Sequence, residues 1–158
     1  MINRFYKNIN SFFADKYVNL LNVHHSMLMF AHYLAGIFNA IYLYKNGIPL
    51  WIVLLAFCLI FVVRLTVRPF SAWLSSRYGL RKSLIAGIII YAGIYQILYQ
   101  INGVDLWLII YVIYAAIADT LYWLPFHAYY ALTGSHKTKG AELGMREFLI
   151  HFSSIFAP

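Results

Sequence analysis

The chain has 158 residues, of which 63% are hydrophobic and 11% charged, with a mean hydropathy of +0.70 and a formal net charge of +7 from 12 Lys+Arg against 5 Asp+Glu. A soluble domain is typically about 45–50% apolar and about 25% charged, so this chain has too little polar surface to cover a water-soluble fold, and disorder is excluded by the same composition. The expected class is an all-α integral membrane protein, its lipid-exposed backbone satisfied inside helices. The basic excess does not point to nucleic acid, because it is split among three separate segments rather than gathered on one. Cys58 is the only cysteine and sits in a hydrophobic run, so no intrachain disulfide can form.

Residues 1–24 carry Ile2, Phe5, Tyr6, Ile9, Phe12, Phe13, Tyr17, Leu20 and Leu21 at helical spacing, with Arg4, Lys7 and Lys16 off that stripe. This predicts an amphipathic helix lying on the cytoplasmic membrane surface or packed on the cytoplasmic face of a helix bundle. Residues 25–158 then supply apolar segments, each near the roughly 20 residues that cross about 30 Å of hydrocarbon. The expected spans are His25–Tyr44, Leu50–Val67, Ser83–Gln100 and Leu106–Ala128. Short connections make neighbours antiparallel. Lys45-Asn46-Gly47-Ile48-Pro49 is one tight turn. Gln100 to Asp105 is another, with Asp105 placed to cap the fourth span. Glu142 to Arg146 reads as a further helix start, and Phe148 to Pro158 as an apolar run of about half a span. We therefore expect the chain to be the front part of a longer protein.

The charges set an expected orientation. Arg4, Lys7 and Lys16, then Arg68, Arg77, Arg81 and Lys82, then Lys137, Lys139 and Arg146 fall on one side, and only Lys45 on the other. Loops rich in Lys and Arg stay on the inner side, which predicts a multi-pass protein of the cell membrane with a cytoplasmic N-terminus. Trp51 and Trp107 then lie at the outer interface and Trp73 near the inner one.

Arg64 and Asp119 stand inside the second and fourth spans, where a charge costs about 2.5–3.5 kcal/mol or more. Arg64 is about 20 Å along the axis from Trp51 and Asp119 about 21 Å from Asp105, at 1.5 Å per residue. Both spans run the same way, so the two side chains reach one depth. They are expected either to form a buried ion pair or to line an aqueous cavity. Arg68 is one turn past Arg64, followed by Ser71 and Ser75, and is placed to snorkel to the headgroups. His32 and Asn39 are seven residues apart on the first span, so they are expected to share a face. They are candidates for interhelical hydrogen bonds, or, as the family resemblance given below implies, for lining a cavity. Gly87 and Gly93, with Ala86 and Ala92, suggest close helix packing, and Pro125 marks a candidate kink. The histidines are scattered, and no metal site or cofactor is expected.

Ala72-Trp73-Leu74-Ser75-Ser76-Arg77-Tyr78-Gly79-Leu80-Arg81-Lys82 resembles the cytoplasmic signature loop of the major facilitator superfamily, G-x-L-a-D-R-x-G-R-R-K. Leu74, Arg77, Gly79, Arg81 and Lys82 match. Ala72 replaces the glycine, Ser76 the aspartate and Leu80 a basic residue. Lys139-Gly140-Ala141-Glu142-Leu143-Gly144 resembles the R-G-x-x-x-G that opens the family's fifth helix. Gly144, Ser153, Ala157 and Pro158 fall at the spacing of its G-x8-G-x3-G-P pattern, with two of the three glycines replaced by other small residues. The resemblance covers residues 25–158.

It implies four full spans and the start of a fifth from the N-terminal half of a six-plus-six helix fold. A missing C-terminal half would complete a secondary transporter that rocks about a midplane site. The implied partners are the lipid bilayer and a small solute, with proton coupling as an option, and no nucleic acid. In the family the loop aspartate is central to a latch between the halves, and Ser76 lacks that charge. An enzyme is not expected, because Asp105 and Asp119 are the only acids of the first four spans and differ in depth. The alternative is a complete small four-helix protein serving as a structural subunit of a membrane complex.

Overall fold

A computed structural model describes residues 16–133 and 139–156, and the amphipathic segment expected over residues 1–24 lies largely outside them. Among the described residues the chain is all-helical. The elements are α1 (Lys16–Ala35), a 3-10 turn (Gly36–Phe38), α2 (Asn39–Lys45), α3 (Leu50–Tyr78), α4 (Leu80–Ala92), α5 (Ile94–Tyr99), α6 (Leu106–Leu132) and α7 (Lys139–Ile155). Four stretches are long and apolar enough to cross a membrane: Val18–Lys45, Leu50–Tyr78, Leu80–Tyr99 and Leu106–Leu132. The chain is thus compatible with a multi-pass membrane protein.

The bounds differ from the sequence expectation in instructive ways. The first stretch begins at Val18 rather than His25, within a helix unbroken from Lys16. The second runs eleven residues beyond Val67, through Pro69, to Tyr78. Proline removes one helical N–H, and membrane helices tolerate this where neighbouring groups satisfy the freed backbone. The basic segment is therefore not an extended loop. Leu74, Ser76 and Arg77 end α3, Gly79 alone interrupts the helix, and Arg81 and Lys82 open α4. The third stretch is interrupted at Gly93, between α4 and α5.

The chain divides into two compact units. The first is residues 39–129. Its core joins Leu43, Ile48, Val53, Ala56 and Ile60 to Ile94, Leu98, Ile101, Leu108, Tyr111, Val112 and Ala116. Half of the apolar window of α6 is buried, 50% against 17% for α3 and 22% for α4–α5, which makes α6 the central helix. The two tight turns meet: Asn46 Nδ2 donates to the Ile101 carbonyl at 3.0 Å. Asp105 caps α6 by accepting from the Leu108 N–H at 3.1 Å, satisfying one of the free donors of the first turn.

At the other end Gly79 makes the reversal. Its φ of 90° and ψ of 149° lie where only glycine is comfortable. With this turn α4 runs back along α3, and both meet α6 at the same level. Ser71 Oγ donates to the Thr120 carbonyl at 3.3 Å. Gly87 lies so close to α6 that a Cβ there would stand 2.5 Å from the Leu121 carbonyl oxygen and 2.7 Å from the Tyr122 nitrogen.

The second unit is residues 1–38 with 130–158, of which the described part is α1, the 3-10 turn, the end of α6 and α7. Here α7 packs along α1. Lys139 Nζ donates to the Ala131 carbonyl at 2.6 Å, and the Arg146 guanidinium lies 5.1 Å from the Tyr130 ring centre. Arg146 also pairs with Glu147 at 2.6 Å. Along α7 and just past its end, the rings of Phe148, Phe152 and Phe156 follow one another on an exposed stripe.

Candidate functional site: a charged cavity between the second and fourth spans

Charge is scarce inside the spans, so the few ionised side chains define the site. Arg64 Nη1 lies 2.7 Å from Asp119 Oδ2, within the range of charge-assisted hydrogen bonds. Their side chains are 22% and 18% exposed. The pair forms because α3 and α6 start at the same end of the unit and rise equally to the two residues. The Arg64 guanidinium also lies 5.4 Å from the Phe61 ring centre, a cation–π distance.

Beside the pair is a cavity of about 340 Å³ lined by Arg64, Arg68, Thr120, Trp123, Leu124 and His127. Arg64 and Arg68 are one helical turn apart, so both guanidiniums reach the same space. Trp123, Leu124 and His127 are supplied by the last turns of α6, with the His127 ring stacked on Trp123 at 5.3 Å and 22°. Thr120 does not offer its proton to the cavity, since its Oγ1 donates to the Ala116 carbonyl at 2.7 Å. Tyr91 of α4 is half-buried, with its ring centre 6.1 Å from that of Tyr122 on α6.

The other candidates are placed elsewhere. Asn39 Nδ2 donates to the Tyr111 hydroxyl at 3.3 Å, so it ties α2 to α6 and does not line the cavity. The ring of His32 lies against Gly36, at 2.6 Å from where a Cβ would stand. The 3-10 turn between His32 and Asn39 breaks the regular 100° step on which their shared face rested. His32 belongs to one unit and Asn39 to the other. Ser71 and Ser75 are buried while Arg68 stays exposed.

In the basic segment Ser76 is exposed and its Oγ donates to the Trp73 carbonyl at 2.7 Å. Arg77 lies over the rings of Trp73 and Tyr78, at 5.6 Å and 6.0 Å. Leu74 is half-buried, and Gly79, Arg81 and Lys82 are exposed.

Sequence reasoning missed Trp123 and His127 as cavity residues and Tyr91 and Tyr111 as interior polar groups. The first two were legible: residues 120, 123, 124 and 127 recur at helical spacing next to Asp119. Among the described residues no group of three His, Cys, Asp or Glu is placed to hold a metal ion. No protein family, curated protein or solved structure matches the chain.

Proposed function

We propose that this chain forms part of a secondary transporter of a small solute, working by alternating access and built on helices like the first of the major facilitator superfamily. The observation that carries the reading is the Arg64–Asp119 pair set at the edge of a cavity large enough for a small molecule. Ionised groups inside membrane spans are costly and typically mark substrate or ion pathways. The basic segment around Gly79, with its match to the family's signature loop, supports the same reading. A static tie between spans is the second reading, favoured by the tight seam at Gly87, where the backbones of α4 and α6 leave no room for a Cβ.

The test is cysteine accessibility in the protein as its own cells make it. Thr120→Cys and Leu124→Cys are introduced separately into a background in which Cys58 and any cysteine of the full protein outside these 158 residues are replaced by serine, and right-side-out and inverted vesicles are treated with a charged, membrane-impermeant thiol reagent. A transport cavity gives labelling from one face, with a rate that changes several-fold when a proton gradient or solute mixture shifts the conformational balance. Protection of both positions from both faces, or a rate indifferent to every condition, overturns the transport reading and leaves the static one.

A further inference from the structure

The cavity beside the ion pair has an unbalanced charge. Of its two guanidiniums, Arg64 is paired with Asp119 at 2.7 Å. Arg68 has no carboxylate within ion-pair distance among the described residues, yet it opens on the same space. A guanidinium left in a partly apolar wall gains most from an anion, and its planar fork of N–H donors matches the two oxygens of a carboxylate or phosphate. His127 brings its imidazole to the same wall, stacked on Trp123. The Thr120 hydroxyl adds no donor, because its proton is committed to Ala116. The remaining wall is Trp123 and Leu124, an aromatic face and an alkyl group suited to the carbon part of a ligand.

We propose that Arg68, Arg64 and His127 form a binding site for an organic oxyanion, a carboxylate or phosphate ester whose apolar part rests on Trp123 and Leu124. The proposal rests on the transport reading of the same cavity and deepens it by naming the substrate class. Arg68 makes the primary contact. Arg64 contributes its outer N–H groups while Asp119 holds it in place. The pair thus keeps one guanidinium oriented without a net charge of its own, and Arg68 supplies the charge that the ligand neutralises. The oxyanion has two sources, a soluble molecule or a lipid headgroup, and they share this chemistry.

The experiment reads binding alone, so that it and the transport reading can fail separately. The full protein is purified in maltoside micelles, which carry no phosphate. A variant keeping Trp123 as its sole tryptophan (Trp51, Trp73 and Trp107 to Phe, with every tryptophan of the full protein outside these 158 residues likewise replaced) is titrated with phenyl phosphate, benzoate, inorganic phosphate and neutral benzyl alcohol. Saturable change in Trp123 emission is expected with phenyl phosphate or benzoate, weakened about ten-fold or more by Arg68→Gln, and absent with benzyl alcohol. Arg68→Gln is the decisive variant, because Arg64→Gln would strand the Asp119 carboxylate and lower the folded yield. In a second arm, native mass spectrometry of the otherwise unaltered protein follows retention of added phosphatidylglycerol, with and without Arg68→Gln. Retention lost in Arg68→Gln, with no soluble ligand bound, identifies a lipid headgroup as the occupant. Equal response to benzyl alcohol, or no Arg68-dependent binding in either arm, overturns the proposal. Anion binding in a protein whose cavity cysteines never change accessibility upholds the site and removes the transport reading.

Discussion

Breaking the Arg64–Asp119 pair tests the central geometry. Two unit charges at 4 Å attract by about 4 kcal/mol at an effective dielectric near 20, and the observed separation is 2.7 Å. Desolvation of both groups offsets much of that attraction, while removing one partner leaves the other charge stranded at about 3–5 kcal/mol. The side chains are 22% and 18% exposed, which puts the expected loss toward the lower end, about 3 kcal/mol for Arg64→Gln or Asp119→Asn. The double neutral variant strands no charge and should be less destabilised than the sum of the singles by about 1–3 kcal/mol. The same sign is expected for charge reversal: Arg64→Asp with Asp119→Arg recovers stability that each reversal alone destroys. The assay is reversible unfolding in mixed micelles, followed by circular dichroism as denaturing detergent is titrated. Additive losses in the double neutral variant, or a double swap no more stable than its worse single, would refute the pairing argument.

Two further perturbations probe the packing around the site. Gly87→Ala places a Cβ 2.5 Å from the Leu121 oxygen, an overlap that backbone cannot yield to without moving α4. It should therefore cost about 1–3 kcal/mol as an overpacked contact, measurable in the same unfolding assay, and a neutral result would mean the seam is looser than described. Gly79→Ala meets no atom within 4 Å, so its cost is conformational only, about 1–3 kcal/mol for leaving the glycine-only region. It should be matched by Gly79→Ser, and a larger penalty for serine would show that space rather than backbone angle sets the limit.

The membrane class, the four apolar stretches and the meeting of Arg64 with Asp119 were legible in the sequence, because each depends on distance along a helix. Hydropathy counts residues that lie in hydrocarbon, and a fixed rise of 1.5 Å per residue converts sequence separation into depth. The Asp105 cap was legible for a related reason, since it is decided by a few consecutive residues.

Rotation about the helix axis was not legible. One 3-10 turn at Gly36–Phe38 was enough to void the shared face assigned to His32 and Asn39. Which side of α3 faced the core sent Ser71 inward and left Arg68 on the cavity. Helix ends also escaped: the second span was expected to end at Val67, yet α3 continues through Pro69 to Tyr78. The sequence by itself determined which stretches are long and apolar enough to cross a membrane and how far along its helix each charge lies. Only the tertiary structure decided which side chains face one another, because azimuth is set by the packing of backbones such as Gly87 against Leu121, and no single helix carries that information.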